Sequence, residues 1–165
     1  MQDFVHLHVH TQYSLLDGQA SVARLVDKAM QNGMKGIAVT DHGNMFGIKE
    51  FTNYVNKKNS GPKGEIKDLK KRIAGIEAGT VECEDKEAEV AACKAKIVEA
   101  ENKLFKPIIG CEMYVARRTM DLKEGKQDQS GYHLIVLAKN ETGYHNLIKL
   151  VSHAWTRGYY MRPRT

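Results

Sequence analysis

The 165-residue sequence predicts an α/β fold with a mainly parallel sheet, and three observations predict it. Short apolar runs of strand length alternate with stretches whose apolar residues recur every three or four positions, the order that builds β/α units. A hydrophobic share of 42% beside 27% charged residues is ordinary for a globular chain. No run of about 18 apolar residues exists to span a bilayer, so a membrane protein is excluded as a class. The length suits one domain, or a piece of a larger one.

The elements follow in order. Phe4 to His10 (FVHLHVH) alternates with period two and predicts a first strand. Ala20 to Gln31 carries Val22, Leu25, Val26 and Ala29 at helical spacing and stops at Asn32-Gly33, as a helix C-terminus does. Gly36 to Thr40 (GIAVT) predicts a buried strand, and Phe46 to Lys57 a second helix through Phe46, Phe51, Tyr54 and Val55. Pro107 to Ala116 and His133 to Ala138 predict two further strands, with a helix from about Glu141 to Ala154.

Residues 56–106 interrupt this rhythm. Ile66, Leu69, Ile73 and Ile76 form one apolar stripe, and Val90, Cys93, Ile97, Ala100 and Leu104 a second, out of phase with the first. They predict two amphipathic helices joined near Gly79 to Asp85, an antiparallel helical hairpin inserted over residues 60–104, with Lys57 to Gly64 (KKNSGPKG) as its hinge. A solvated structural insertion accounts for it more simply than a partner-binding arm.

Charge narrows the partners only mildly. Lys+Arg 25 against Asp+Glu 20 gives +5, with the basic excess toward the C-terminal end. Arg117, Arg118, Arg157, Arg162 and Arg164 supply positive charge that serves either nucleic-acid contact or, more simply, a solvated face. Cys83, Cys93 and Cys111 lie at no metal-type spacing and read as reduced thiols. The start of the chain lacks the features of a secretory signal, so the expected location is the cytoplasm.

Histidine is the informative residue. His6, His8 and His10 alternate on one predicted strand, so their imidazoles share a face. Neutral imidazoles gathered there need either buried partners or a cation, and a cation explains the pair His8 and His10 better than packing does. His6 is read first as structural. His42, in Thr40 to Asn44 (TDHGN) directly after a strand, is either a turn residue or a third imidazole ligand. Asp17-Gly18 reads first as a turn and second as a carboxylate ligand. Glu112, inside an apolar strand, must meet a cation or face solvent, and His133 opens the next strand. All these residues are expected at or near strand ends in successive β/α units. Imidazole with carboxylate suits zinc, manganese or iron, and a set this large can hold two or three ions that activate water for phosphoester hydrolysis.

The strings FVHLHVHTQYSLLDG, GIAVTDHGNMFG, KPIIGCEMYV, HLIVLAKNETGYHNLIKLVSHA and RGYYMRPR resemble the amino-terminal PHP (polymerase and histidinol phosphatase) domain of bacterial DNA polymerase III alpha subunits, across nearly the whole chain except about residues 60–104. That resemblance implies the amino-terminal part of a distorted (β/α)7 barrel over residues 1–165, interrupted by the hairpin. It also implies a metal centre of up to three divalent ions (manganese, zinc or iron), with His8, His10, Asp17, His42, Glu112 and His133 as ligands. Further ligands, including an Asp-x-His pair, would lie beyond Thr165, so this stretch alone is expected to be inactive and to self-associate through open sheet edges. The implied parent is a magnesium-dependent DNA-directed DNA polymerase that works on DNA with a proofreading subunit and a sliding clamp, and with no membrane partner. For the domain itself the resemblance implies a metal-dependent phosphoesterase, such as a 3′–5′ exonuclease. The alternatives are a non-catalytic platform that docks a proofreading subunit and, least in keeping with the YSLLDG and TDHGNMFG strings, a free-standing phosphatase of small esters.

Overall fold

The computed structural model describes residues 4–165, and the described residues form five α-helices and a three-stranded sheet ordered β1-β2-β3. The chain divides into two compact units, Met1–Tyr54 with Lys106–Thr165, and Val55–Phe105. No described helix is long and apolar enough to cross a membrane.

In the first unit, α1 (Val22–Gln31) starts at Ser21, whose hydroxyl accepts the Arg24 N–H, and ends at Asn32, followed by Gly33 with φ of 75°. Both ends match their sequence signals. Its apolar stripe of Val22, Val26 and Ala29 is buried. The strand β1 (Gly36–Val39) is buried along its length, and α2 (Ile48–Lys58) follows it with Ile48 and Phe51 in the core.

Strand β2 (Lys106–Ala116) is the spine of the sheet. It pairs in parallel with β1 through Gly36↔Lys106 to Val39↔Ile109, then antiparallel with β3 (Gly131–Leu137) through Gly110↔Leu137 to Ala116↔Gly131. The sheet is therefore mixed, and the expectation of a mainly parallel one is corrected. Residues 117–130, with only a short 3-10 turn at Lys126–Asp128, hold no crossover helix, and without one the chain returns antiparallel. Their loop is closed by Asp128, buried, which accepts from Arg118 and from the Glu124 N–H (2.8 Å).

Alternation along β2 sorts its side chains. Cys111 and Met113 point into a core with Leu147, Val151 and Ala154 of α5 (Glu141–Thr156), leaving Glu112 and Tyr114 on the opposite face. Burial pushes the Cys111 thiol up to about 12, which keeps it an inert packing group. Helix α5 is capped by Asn140, whose side chain accepts from the Gly143 N–H (2.9 Å). A short hairpin, β4 (Tyr159–Tyr160) and β5 (Arg162–Pro163), then returns the chain to β2, where Thr165 exchanges backbone bonds with Tyr114 and Ala116.

Two further expectations are corrected here. Phe4 to His10 does not form a regular strand, although it runs beside β1: the Ala38 N–H donates to the His6 carbonyl and the Thr40 N–H to that of Val9, each at 2.9 Å. Three residues on one side thus oppose two on the other, and the extra residue bends the segment out of ladder register. Arg164 is not part of a solvated face. It is fully buried, and its guanidinium donates to the carbonyls of Gly158, Met120 and Leu122, tying the β2–β3 loop to the end of the chain.

In the second unit, α3 (Ser60–Glu77) and α4 (Lys86–Asn102) run antiparallel, with Arg72 paired to Glu89 at 2.8 Å. Ile76, Cys93, Ile97 and Ala100 supply the buried seam. The turn between them carries Gly79 at φ of 73° and Asp85, whose carboxylate caps α4 by accepting the Ala88 N–H. The hinge expected over residues 57–64 contracts to Asn59. Gly61, Pro62 and Gly64 lie in the opening turns of α3, where a proline's missing N–H costs nothing. Asn59 fixes the base of the unit by exchanging side-chain bonds with both backbone groups of Phe105, at 2.8 and 2.9 Å.

Candidate metal centre

The site begins where β1 stops. Past Val39 the edge of β2 is free to meet the loop Thr40 to Asn44, and the Glu112 N–H donates to the Asp41 carbonyl (3.1 Å) while the Gly43 N–H donates to the Glu112 carbonyl (2.9 Å). Gly43 turns the chain with φ of 59°, and a β-carbon there would lie 2.6 Å from the Pro163 ring. His42 and Glu112 are thereby fixed side by side. On β3, His133 stands opposite Tyr114 and diagonal to Glu112 on the same face. Glu112 and His133 thus lie within strands rather than at their ends, because β2 and β3 continue past the end of β1.

The remaining donors come from the loop of residues 8–18. Asp41, 1% exposed, organises it by accepting from the Thr11 N–H (2.6 Å), the Thr11 hydroxyl (2.8 Å) and the Ser14 hydroxyl (3.1 Å). Ser14 accepts in turn from the His42 N–H (3.0 Å) and meets His10 Nδ1 at 2.8 Å. Gly18 closes the loop where a β-carbon would lie 1.8 Å from the Thr11 carbonyl oxygen.

All six expected donors converge, in three overlapping triads: His8, His10 and Glu112; His10, Asp17 and His42; His42, Glu112 and His133. Within each triad the donor atoms lie within 4.8 Å of one another. The Glu112 carboxylate, its side chain 5% exposed, is the hub, with Oε2 2.9 Å from His8 Nε2 and His10 Nε2 and 3.3 Å from His42 Nδ1, and Oε1 2.5 Å from His133 Nδ1. Asp17 Oδ2 meets His42 Nε2 at 2.7 Å, so this aspartate is more than a turn residue. His6 does not join them; its ring packs edge-on against Phe4 at 4.7 Å.

The protonation pattern shows what the cluster fits. Ser14 has one hydroxyl proton, and Asp41, an acceptor, takes it, so the His10 Nδ1–H must donate to Ser14 and leaves the Nε2 lone pair facing Glu112 Oε2. His42 repeats the problem: its Nε2–H donates to Asp17, and its buried Nδ1 has no hydrogen-bond partner while it faces the same carboxylate. Lone pairs aimed at a buried carboxylate repel it unless a proton or a cation lies between them. A divalent cation satisfies them all, and imidazole with carboxylate is a donor set for zinc, manganese or iron. Outer partners that fix a ligand's tautomer, as Ser14 and Asp41 do for His10, are a regular part of metal sites.

Titration follows from the same environment. Burial lowers the His10 imidazole below its ordinary 6.5, and the neighbouring His42 acts in the same direction. Burial alone would raise the Glu112 carboxyl, but the hydrogen bonds from His8 and His133 outweigh it and hold the group below 4.5. Just below pH 6.5 the unfolded chain binds more protons than the folded one, so the metal-free protein loses stability as pH falls through that value, and the lowered Glu112 adds a loss of the same sign in the acid range. Thermal unfolding in chelator is expected to show a lower midpoint at about pH 5.5 than at about pH 7.5. Equal midpoints would contradict a half-buried, neutral His10.

Sequence reasoning missed Thr11, Ser14 and Asp41. Asp41 stands next to His42 in the sequence, and the small polar residues Thr11 and Ser14, three apart after His10, are the available signal for its partners.

A family model described as the PHP domain matches residues 6–165. The chain is 41% identical over 164 residues to the DNA polymerase III subunit alpha of Borreliella burgdorferi, with 98% of this chain and 10% of that protein covered. It is 40% identical over 162 residues to that of Treponema pallidum, with 98% and 10% covered, and 32% identical over 169 residues to that of Aquifex aeolicus, with 99% and 11% covered. The chain spans about a tenth of the length of the curated relatives it matches.

Proposed function

The chain belongs to the PHP domain family, and from that premise we propose that it is the amino-terminal domain of a bacterial replicative DNA polymerase, in which it acts as a metal-dependent phosphoesterase that removes misincorporated nucleotides from a 3′ end. The single observation that carries the reading is the convergence of His8, His10, Asp17, His42, Glu112 and His133 in three overlapping donor triads, two of which share the buried Glu112 carboxylate. These six residues are the proposed metal ligands. In the complete domain the sheet extends into a (β/α)7 barrel interrupted at residues 60–104 by the α3–α4 hairpin. The whole polymerase works in the cytoplasm on DNA, beside a proofreading subunit and a sliding clamp.

Divalent cations held by this set would supply Lewis-acid activation of a water and neutralisation of a phosphoryl oxygen. The chain's own residues do the rest. Glu112 links three imidazoles on one carboxylate oxygen and a fourth on the other, so the donors are held as one unit. Ser14 holds the His10 proton at Nδ1 and keeps Nε2 free to ligate. Asp41 fixes the loop that carries His10, Ser14 and Asp17, so that little reorganisation is needed when an ester arrives.

The test uses the full-length polymerase. It is expected to bind manganese or zinc and to trim a mismatched 3′ end, and His8→Ala with His10→Ala is expected to abolish trimming while polymerisation is retained. A metal-free protein of native stability with no trimming activity would overturn this reading in favour of a structural platform for a separate proofreading subunit.

A further inference from the structure

A cleft of about 450 Å³ opens directly from the donor cluster, with Asp17, His42 and His133 in its wall. Its other wall is aromatic. Trp155 of α5 is tied down by its indole N–H, which donates to the Gly43 carbonyl at 2.8 Å. Tyr159 stacks on it with ring centroids 5.6 Å apart and planes 20° apart, and the Phe46 ring lies 6.1 Å from it. The three rings are 42%, 49% and 65% exposed, a row of apolar surface left open beside a cluster of polar donors. At the same cleft the Arg162 guanidinium sits 5.7 Å over the Tyr114 ring, and that ring stacks on His42 at 5.8 Å. No ion pair holds Arg162 among the described residues, so its charge stays available in the cleft that Asp17, His42 and His133 also line. Leu16 and Met161, the described non-glycine residues with positive φ (81° and 62°), both line this cleft. Backbone held in that region recurs at ligand clamps.

Apolar π-faces in a row, a cation and an ester-cleaving centre together match one chemistry. Unpaired bases stack on aromatic rings whatever their identity, and arginine binds the phosphate between them. We propose that Phe46, Trp155 and Tyr159 form the base-stacking subsite for a single-stranded DNA 3′ end and that Arg162 holds its phosphodiester, so that the terminal ester faces the donor cluster. This inference rests on the phosphoesterase reading of that cluster and adds what selects its substrate. A duplex end, whose bases are already stacked on each other, cannot use the rings without fraying, so the subsite favours mispaired ends.

The experiment uses the full-length polymerase in chelator, so that no cleavage occurs, with an oligodeoxythymidine carrying 2-aminopurine at its 3′ terminus. The unaltered protein is expected to quench the 2-aminopurine fluorescence. Phe46→Ala with Tyr159→Ala is expected to weaken binding of this end about tenfold or more and to relieve the quenching, while an oligonucleotide with an abasic terminus binds both proteins alike. Phe46→Leu with Tyr159→Leu keeps the apolar volume, removes the π-faces and is expected to behave as the alanine pair does. Arg162→Gln is expected to lower the salt dependence of binding by about one phosphate contact. Unchanged affinity and quenching in the leucine pair would overturn the proposal, as would a lowered thermal midpoint with unchanged affinity, which would assign the rings to packing against another part of the polymerase. Failure of the phosphoesterase reading shows separately, as absence of manganese-dependent hydrolysis of bis(4-nitrophenyl) phosphate by the unaltered protein.

Discussion

Replacing Glu112 with glutamine is expected to abolish metal binding at the proposed centre while leaving the fold intact. One oxygen of this carboxylate faces His8, His10 and His42 and the other faces His133, so two of the three donor triads contain it and the third, His10, Asp17 and His42, shares an imidazole with each of those two. Glutamine keeps the volume and one acceptor oxygen but loses the charge and the ability to bridge. Metal-dependent ester hydrolysis by the intact protein should fall by well over the roughly 10–100-fold that loss of an outer partner costs. The metal-free protein should lose some stability too but stay folded, because the hydrogen bonds from His8 and His133 favour the ionised carboxylate and a neutral amide accepts them less strongly. Metal content by mass spectrometry, read beside the thermal midpoint in chelator, separates the two effects. Full metal content in the glutamine variant would contradict the role of Glu112 as hub.

Asp41→Ala is expected to have the opposite profile, a large loss of stability with a secondary loss of metal affinity. Asp41 touches none of the donor atoms, yet its carboxylate accepts three hydrogen bonds from Thr11 and Ser14, whose own exposures are 0% and 1%. Truncation leaves these buried donors unpaired, at a cost of about 3 kcal/mol or more. For a chain of this size that corresponds to a midpoint lower by about 6–12 °C. With Ser14 released, His10 loses the partner that fixes its tautomer, and metal affinity should fall about 10–100-fold. Calorimetry and metal titration on the same sample check both. A normal midpoint would mean that the loop of residues 8–18 is held by something other than Asp41.

These two residues show what the sequence made legible. Glu112 could be picked out because a carboxylate in the apolar run PIIGCEMYVA has no neighbour to satisfy it. His8 and His10 could be paired because two-residue alternation puts side chains on one side of an extended chain even where, as here, a regular ladder does not form. Asp41 was harder. In TDHG the aspartate and the histidine are adjacent, and nothing local says that the histidine turns toward the cleft while the aspartate turns into the loop behind it. That outcome depends on Thr11 and Ser14, some thirty residues earlier, and so on the tertiary fold. The direction of β3 was written in what residues 117–130 lack, since they carry no apolar helical stripe to form a crossover. Arg164 misled because a run of arginines reads as surface, whereas backbone carbonyls, which sequence does not display, bury this one.

The central claim is that these six side chains enclose divalent ions. Anomalous diffraction from crystals of the complete protein grown with manganese tests it most directly. The account predicts anomalous peaks within bonding distance of Glu112 Oε2 and of the His8 and His10 Nε2 atoms, with further peaks beside His42 and His133. Ordered protein with no anomalous peak among these residues, in crystals saturated with manganese, would contradict it.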